Sequence, residues 1–391
     1  MSSIEDRLRD ALAAEAETVQ DDGWPRALPA PRARARLWWA PVAVAAAIAA
    51  VVVGTVVGTR TVAPPAPAAK PTPSTGPVTP PMEKVWPRAV HEIPVKGPGG
   101  RTFTPDVFVS DRVVAGRGFT EKRLDGIWSY DLDRRTFTRV APLRDRNVMK
   151  APLVHGDGYL AWSALAGRRT EIWAVPVTGG VPRRIASVTA LMTSDDSYYG
   201  IDLAIADGMA VWSPYDGGVY RAPLKGGKAT LVSGTRGFHL VEWPWAGWPR
   251  VVAADHPLPR PMEHLKNVLT GALSDVTPPP GRSTWEECGV RWCYTRTEAW
   301  RRDGAGLRKL PGSARGNLYS GRFVMLAQQD RAGRHASTVH DIATGRTGLL
   351  YPIPPSSGEK PPPTLYLSGD MIRYETGRGT QIVLDLVAAG R

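Results

Sequence analysis

The hydrophobic and polar positions divide the chain into two parts with different patterns. Residues 37–57 read LWWAPVAVAAAIAAVVVGTVV, a run of twenty-one without a charge, in which Thr55 interrupts the non-polar character. Because roughly 20 helical residues span the hydrocarbon core of a bilayer, this run predicts a transmembrane helix. From residue 88 onward the apolar runs are short and alternate with turn residues, which is typical of β-strands.

The charged residues beside the long apolar run indicate its orientation. Arg32, Arg34 and Arg36 directly precede it, whereas Arg60 and Lys70 are the basic residues that first follow it. Since basic residues are retained on the cytoplasmic side of a membrane, we expect the amino terminus inside the cell. The sequence thus predicts a single-pass protein of the cell membrane with an extracytoplasmic carboxyl-terminal domain.

Two other interpretations of this run remain open. A secretory signal peptide could be cleaved near the small residues at 66–69, but its apolar region usually has roughly 7–15 residues, shorter than this run. A helix buried in a globular domain would need cover on all sides, and no other segment is suited to provide it. The membrane anchor is therefore the favoured interpretation.

The segment before the predicted helix is short and charged. Residues 1–36 form the predicted cytoplasmic segment, and within residues 2–20 the apolar side chains Ile4, Leu8 and Leu12 share one helical stripe. This pattern predicts a short amphipathic helix. It is either a solvated helix, which we favour because the stripe is narrow, or a docking peptide for a cytoplasmic partner.

The segment after the predicted helix has a linker composition. Residues 58–87 are rich in Pro, Ala and Thr, as in VAPPAPAAKPTPSTGPVTPP. Such a segment buries too little apolar surface to fold and favours extended polyproline II structure. We expect a semi-rigid stalk that holds the following domain away from the membrane.

Residues 88–391 contain a repeated unit of strand, tight turn and strand. Each turn carries Gly, Asp or another turn residue, and a second strand–turn–strand unit usually follows. The copies begin at Val107, Leu153, Leu203, Glu242, Trp285, Leu318 and Leu365. A lone small sheet cannot cover both of its faces, so each copy needs a neighbouring copy on either side. Seven copies at spacings of about 30–50 residues therefore predict an all-β fold, a β-propeller of seven four-stranded blades.

The two ends of this domain predict how the ring closes. The last copy ends at residues 387–391 without a fourth strand, while residues 90–95, VHEIPV, form a strand-like segment before the first copy. We expect this early strand to complete the last blade. Six or eight blades remain alternatives, as does a β-sandwich, whose strands would not carry this period.

The turns of the repeat fall into two recurring motifs. The residues that carry them are His155, Gly156, Asp157 and Gly158 with Trp162; Ala206, Asp207 and Gly208 with Trp212; Ser368, Gly369 and Asp370; Asp131, Leu132 and Asp133; and Asp341, Ile342, Ala343, Thr344 and Gly345. Their alternation resembles the TolB and WD40-like repeats of membrane-anchored extracytoplasmic propeller proteins of high-GC Gram-positive bacteria. The resemblance implies a propeller over the last three quarters of the chain, serving as a scaffold, a receptor or occasionally an enzyme.

The two cysteines lie close together in WEECGVRWCY. A tight turn at Val290 and Arg291 would place Cys288 opposite Cys293 across a hairpin, where Cβ atoms lie about 4.5–5.5 Å apart. An extracytoplasmic location permits oxidation, so we predict a disulfide rather than two free thiols. No further Cys or His pair has metal-ligand spacing nearby.

Known catalytic and cofactor motifs are missing from the sequence. It contains no G-x-S-x-G elbow, no H-E-x-x-H, no Walker lysine loop and no G-x-G-x-x-G after a strand. Two clusters carry metal-ligating residue types: Asp255, His256, Glu263 and His264 in one, and Asp195, Asp196 and Asp202 in the other. A Pro-rich loop and an ordinary turn explain them better. We therefore predict no catalytic residue, cofactor or metal site.

Tryptophan positions indicate a candidate contact patch. Five Trp residues occupy equivalent positions of the repeat and are expected to pack between blades: Trp128, Trp162, Trp173, Trp212 and Trp292. Trp243, Trp245 and Trp248 lie closer together in the sequence than packing between blades requires. Because Trp combines a large area with a polar N–H, these three form the candidate patch, with core packing as the favoured alternative.

The charge distribution bears on the partners. The chain has a net charge of +12, and residues 1–36 contribute −1 from six Arg and seven acidic residues, which leaves +13 for the rest. A basic ectodomain suits an envelope protein, an anionic wall polymer or lipid headgroups, although dispersed Arg also fits a merely soluble surface. No basic helix or aromatic sheet signature for nucleic acid is present.

Two functions are compatible with these features. The preferred one is a membrane-anchored extracytoplasmic propeller that acts as a binding or scaffold module for a ligand, peptide or envelope component. The alternative is a propeller hydrolase or lyase with a site at the central channel. That alternative requires two carboxylates, or a carboxylate and a His, within hydrogen-bond reach at the strand ends.

Overall fold

The computed structural model covers the repeat domain. It describes residues 79–391 except 122, 144–147, 150–151, 190–200, 215, 250–261, 330–334 and 351–363. The predicted amphipathic helix at 2–20, the transmembrane helix at 37–57 and most of the linker lie outside the described residues. No helix within the described part of the chain is long and apolar enough to cross a membrane.

Within the described residues, consecutive strands form seven antiparallel sheets, and each sheet packs against the next. The fold is therefore an all-β propeller of seven blades. This confirms the predicted blade count and excludes the alternatives of six blades, eight blades or a β-sandwich. In blade 2 the first position is shared by two short strands, β6 and β7, which both pair with β8. The other six sheets have four strands each.

The elements run in the following order. Helix α1 (Met82–Val85) precedes β1 (Val90–Pro94). Blade 1 contains β2 (Thr102–Ser110), β3 (Val113–Thr120), β4 (Arg123–Asp131) and β5 (Thr136–Pro142). Blade 2 contains β6 (Val148–Met149), β7 (Val154–Gly156), β8 (Tyr159–Ala166), β9 (Arg169–Pro176) and β10 (Arg183–Thr189). Blade 3 contains β11 (Asp202–Ala206), β12 (Met209–Ser213), β13 (Tyr220–Pro223) and β14 (Thr230–Leu231).

The remaining blades follow the same pattern. Blade 4 contains β15 (His239–Glu242), β16 (Trp245–Pro249), β17 (Met262–Asn267) and β18 (Leu273–Asp275). Blade 5 contains β19 (Glu287–Cys288), β20 (Trp292–Tyr294), β21 (Glu298–Arg301) and β22 (Arg308–Lys309). Blade 6 contains β23 (Ser313–Tyr319), β24 (Phe323–Gln329), β25 (His335–Asp341) and β26 (Thr347–Leu349). Blade 7 contains β27 (Leu365–Ser368), β28 (Met371–Glu375), β29 (Thr380–Asp385) and β1, and helix α2 (Leu386–Ala389) ends the chain.

The early strand closes the ring as predicted. β1 pairs antiparallel with β29, from Val90 opposite Leu384 to Pro94 opposite Thr380, and becomes the fourth strand of blade 7. An apolar cluster joins blades 7 and 1 through side chains that include Ile93. Because the first and last strands share one sheet, opening the ring requires breaking main-chain hydrogen bonds as well as apolar contacts.

The chain just before β1 also packs onto the ring. Met82 and Trp86 are buried between blades 6 and 7, and the amide of Leu349 donates to the carbonyl of Pro80 at 2.8 Å. Residues 79–87, which the sequence analysis assigned to the linker, are thus part of the packed domain. They fix the point at which the preceding chain joins the propeller.

The recurring motifs form the turns. Asp157 and Gly158 have φ of 48° and 74°, and positive φ at both central residues is the mark of a type I′ hairpin. In the other motif, the Asp341 carboxylate accepts from the amide of Ala343 at 3.0 Å and the hydroxyl of Thr344 at 2.6 Å. The motifs that carry the family resemblance therefore have structural roles in this chain.

The repeat tryptophans and the cysteines have the predicted structural positions. Trp162 and Trp212 are buried in clusters that join blade 2 to its two neighbours. Cys288 and Cys293 lie opposite each other in the pairing of β19 and β20 and form a disulfide, with their Cα atoms 4.0 Å apart. The predicted disulfide is thereby confirmed.

Candidate ligand-binding site on the channel wall

The first strand of each blade borders the central channel. In an antiparallel blade, the connections from the first to the second strand and from the third to the fourth lie at one end, here called the turn face. The connections from the second to the third strand and from blade to blade lie at the other end, the loop face. Side chains near the channel on these strands decide which ligands the ring can hold.

A buried ion pair lies at the first two strands of blade 1. Asp106 occupies a β-bulge of β2, at the register shift between Pro105 and Val107, and its side chain is almost fully buried. Arg117 of β3 donates to both carboxylate oxygens, from Nε to Oδ2 and from Nη2 to Oδ1, each at 2.8 Å. Burial raises the pKa of Asp106, and Arg117 opposes that effect. The bidentate pair thus compensates the carboxylate charge.

A second guanidinium reaches this pair from blade 7. Arg373 of β28 is 9% exposed, and it shares a sheet face with Met371, which packs against blade 1. Its guanidinium carbon lies 4.0 Å from the centroid of the Tyr366 ring. Tyr366 is 44% exposed on β27, the first strand of blade 7, so the ring that covers Arg373 is itself open to solvent.

The charge of Arg373 has no hydrogen-bonded partner among the described residues. Burial lowers its pKa, the Asp106 carboxylate, Tyr366 and Glu375 raise it, and Arg117 lowers it further. Two guanidiniums and two carboxylates therefore lie near the junction of blades 7 and 1, and the Arg373 fork has its hydrogen-bonding edge unoccupied by described residues. Guanidinium forks bind planar oxyanions bidentately, so this arrangement is suited to hold an anion.

The same cluster is poorly suited to acid–base chemistry. Arginine stays protonated in proteins, and both oxygens of Asp106 already accept from Arg117. A His–carboxylate contact among the described residues lies elsewhere: His264 Nδ1 and Asp275 Oδ1 are 2.7 Å apart. They belong to β17 and β18, the two outer strands of blade 4.

The two clusters of metal-ligating residue types, which the sequence analysis attributed to a loop and a turn, lie only in part within the described residues. Asp195, Asp196 and residues 255–256 lie outside the described residues. Asp202, at the start of β11, accepts a hydrogen bond from the Ser213 hydroxyl at 3.2 Å, and burial raises its pKa to about 6. Among the residues that the structure describes, no group of three His, Cys, Asp or Glu side chains is placed to hold a metal ion.

The three tryptophans of the candidate contact patch do not share one face of blade 4. Trp248 is 42% exposed and lies on the same face of β16 as Ala246, which packs toward blade 3. Trp245 points to the opposite face. Trp243 lies in the preceding turn, half-buried, and its indole N–H donates to Asp207 of blade 3 at 3.2 Å. Trp248 alone of the three is largely exposed.

The residues of the channel-wall cluster were not among the sequence candidates. Arg117 is the one charge in VVAGRGFT, and Arg373 lies between the apolar Ile372 and Tyr374 of MIRYE, where Glu375 is the second charge. Such a residue interrupts the apolar pattern of a blade interface, and this is the signal that could have identified it. The sequence could not show that the two strands meet, because they are more than 250 residues apart.

Comparisons with known proteins concern the fold. No protein-family model matches the sequence, and no curated protein matches it either. Solved propeller structures similar to this chain include YCF48 bound to a D1 peptide, with 10% identity, a TM-score of 0.41, and coverage of 76% of this chain and 96% of that one. An oligogalacturonate lyase in complex with manganese has 11% identity and a TM-score of 0.41, covering 78% of this chain and 98% of that one.

TolB is also among the similar structures. TolB from Acinetobacter baumannii has 14% identity and a TM-score of 0.24, covering 66% of this chain and 59% of that one. At these values the similarities carry no argument about function. The assignment of the propeller depends on the strand pairing described above.

Proposed function

We propose that this chain is a membrane-tethered binding module whose propeller holds an acidic protein or peptide partner outside the membrane. The observation that carries the proposal is the buried Arg373 guanidinium at the junction of blades 7 and 1, which donates no hydrogen bond to a described residue. A buried guanidinium without a hydrogen-bonded partner is costly, and an anionic partner would compensate it.

Binding is favoured over turnover by the placement of the titratable groups. The channel-wall cluster consists of Arg117, Arg373 and a carboxylate whose oxygens are occupied. The His264–Asp275 contact lies on the outer strands of blade 4. A hydrolase or lyase site at the channel gains no support from these positions, so we propose no second function.

The tether rests on the sequence alone. The apolar run at 37–57 and the basic residues before it support an anchor with the propeller outside. A fusion of alkaline phosphatase to the carboxyl end tests this, because that enzyme becomes active only outside the cytoplasm. We expect an active fusion. An inactive fusion, together with an active cytosolic reporter at the same position, would refute the tether.

Binding can be tested with short charged peptides and the purified full-length chain. We expect hexaglutamate to bind saturably, with an affinity that falls as NaCl rises from 50 to 300 mM, and hexalysine not to bind. The peptide should be recovered intact by mass spectrometry. If hexaglutamate does not bind, or is cleaved, the proposed function is wrong. Preferential binding of a wall polymer of the teichoic type would redirect the proposal to that partner.

A further inference from the structure

We propose that the junction of blades 5 and 6 is sensitive to pH: it is stable while the His340 imidazole is neutral and weakens when that ring takes up a proton. The inference goes beyond the proposed function and does not depend on it. It rests on a buried ring nitrogen without a hydrogen-bond partner and on an arginine beside it that joins the two blades.

His340 lies on β25, on the face of blade 6 that packs against blade 5. It is 3% exposed and lies opposite Val324, a member of the apolar cluster between these two blades. Its Nδ1 is 2.8 Å from the hydroxyl oxygen of Thr347 on β26. Either tautomer of the neutral ring is compatible with this contact, because a hydroxyl can donate or accept.

The other ring nitrogen of His340 is not satisfied. Nε2 is buried and has no hydrogen-bond partner among the described residues. Thr338, two residues earlier on the same face, also has a buried hydroxyl without a partner, so the two groups do not satisfy each other. In the protonated ring both nitrogens are donors. Protonation would therefore bury a charged N–H without an acceptor, which is costly.

Arg308 places a positive charge at this junction. It lies on β22 of blade 5, and its Nη1 donates to the carbonyl oxygens of Ile342 at 2.5 Å and Ala343 at 3.2 Å in blade 6. Its guanidinium lies over the Trp292 ring, with the guanidinium carbon 5.0 Å from the ring centroid. The group that joins the two blades thus disfavours a second cation beside it.

Burial and the neighbouring charges act on the imidazole in different directions. Burial lowers the pKa of His340, the Asp341 carboxylate raises it, and Arg308 lowers it further. Asp341 is the next residue on β25 and points to the opposite face, where Arg322 donates to both of its oxygens. The folded chain therefore binds this proton less tightly than the unfolded chain.

Two further charged side chains of blade 5 point toward blade 6. Arg301 and Glu287 lie opposite members of the apolar cluster between these blades and share their face. Arg301 pairs with Asp303 at 2.6 Å, and a Glu287 oxygen accepts from the amide of Leu318 at 2.7 Å. Each of these charges has a hydrogen-bonded neighbour of its own, and the cation that opposes protonation of the imidazole is Arg308.

Urea unfolding of the full-length chain at pH 7.5 and pH 5 tests the role of His340. A base with a lowered folded-state pKa loses stability as the pH falls below its ordinary value of about 6.5. Because glutamine does not titrate, the urea midpoint of His340→Gln should rise relative to the unchanged chain by about 0.5 M between these two pH values. Other titrating groups are present in both chains and cancel in the difference.

His264→Gln provides the matched control. The His264 side chain is 35% exposed and lies beside the Asp275 carboxylate, so its removal should give no gain in relative stability at pH 5. If the His340 and His264 variants show the same pH dependence, the proposal is wrong.

Arg308→Met tests the neighbouring charge. It removes the hydrogen bonds to blade 6, so the urea midpoint should be lower than that of the unchanged chain at pH 7.5. Its further fall toward pH 5 should be smaller, because the imidazolium no longer faces a guanidinium. A larger fall would contradict the role assigned to Arg308.

Amide hydrogen exchange in the unchanged chain locates the effect and does not depend on any variant folding. Labelling times at pH 7.5 and 5.5 are scaled to the intrinsic exchange rate, and peptides are analysed by mass spectrometry. We expect protection in β22 and β25 to fall about tenfold more at pH 5.5 than protection in β3 and β4 of blade 1. An equal fall in both blades would show general acid destabilisation and would overturn the proposal.

Discussion

Two buried arginines at different blade junctions have opposite surroundings. Arg302, at the junction of blades 4 and 5, is 4% exposed and donates to four main-chain carbonyls, those of Met262, Glu263, Ser274 and Gly289, at 2.7–3.2 Å. Arg373, at the junction of blades 7 and 1, is 9% exposed and donates to no described residue. Burial lowers the pKa of Arg302 to about 10 and lowers that of Arg373 as well.

The apolar contacts at the two junctions explain part of this difference. The cluster near blades 4 and 5 has three buried members, Cys288, Cys293 and Trp300. The cluster between blades 7 and 1 has six, and β1 adds a shared sheet. A junction with little apolar surface depends on hydrogen bonds, whereas a well-packed junction does not require its arginine for stability. We conclude that Arg302 is structural and that Arg373 is available for binding.

The largest predicted effect is the loss of the Arg302 hydrogen bonds. Arg302→Met leaves four carbonyls without their donor, one of them in the buried Gly289. Each unsatisfied buried group costs about 1–3 kcal/mol, and solvent can reach some of these carbonyls. We expect a loss of about 3–5 kcal/mol in the free energy of unfolding, measured by urea unfolding followed by tryptophan fluorescence.

A neighbouring residue provides the control for that experiment. Arg301 is exposed and pairs with Asp303 at 2.6 Å. Surface pairs of this kind contribute roughly 0–1 kcal/mol, so Arg301→Met should change stability little. If the Arg302 and Arg301 variants unfold at the same urea concentration, Arg302 does not tie the two blades together.

The second prediction is that the stability of the junction of blades 7 and 1 depends on the charge of Asp106. Asp106→Asn leaves Arg117 with a neutral partner and removes the buried carboxylate that lies near both guanidiniums. We expect the free energy of unfolding to fall by about 2–3 kcal/mol, since removing one member of a buried ion pair leaves the charge of the other uncompensated in a low-dielectric environment. Added anion should restore part of this loss. Unchanged stability in chemical unfolding would argue against the charge balance assigned to this site.

The architecture could be predicted from the sequence because it depends on local patterns. Alternating apolar strands and Asp-Gly turns specify hairpins, and their recurrence specifies the blades. The closing strand was predictable because the last copy lacked one strand and the segment before the first copy offered one. Residues 79–87 were assigned to a linker from their Pro content, since sequence composition could not show that Met82 and Trp86 fill a gap between two blades.

The binding site was much less predictable. Its members come from the β2–β3 hairpin of blade 1 and from β28 of blade 7, and ring closure brings these two blades together. Tryptophan density pointed instead to blade 4, where strand alternation separates Trp245 from Trp248. A spacing argument along one strand cannot identify a site that is assembled across the closure of the ring.

The third prediction separates a binding arginine from a structural one. Arg373→Met removes a charge that has no hydrogen-bonded partner among the described residues and places an apolar chain of similar length beside Tyr366. Replacing unpaired buried charge by apolar groups is often neutral or stabilising. We expect the free energy of unfolding to stay the same or rise by up to about 1 kcal/mol. A loss above about 2 kcal/mol would place Arg373 in the same class as Arg302.

The fourth prediction concerns a carboxyl group in blade 3. Asp202 has a pKa raised from 3.8 to about 6 by burial, with the Ser213 hydroxyl opposing the shift. An acid with a raised folded-state pKa binds its proton more tightly when folded, so stability should fall as pH rises from about 4 to 6 and then level off. As a whole residue Asp202 is exposed, and solvent therefore screens part of the effect, which should stay well below about 3 kcal/mol.

Comparing Asp202→Asn with the unchanged chain isolates this group from other titrating residues. Asparagine still accepts from Ser213 but carries no charge, so the stability of the variant relative to the unchanged chain should rise between pH 4 and 6 and stay constant above pH 6.5. Urea midpoints at half-unit steps measure it. A difference that is flat across this range would show that Asp202 is as well solvated as a surface carboxylate and that burial does not raise its pKa.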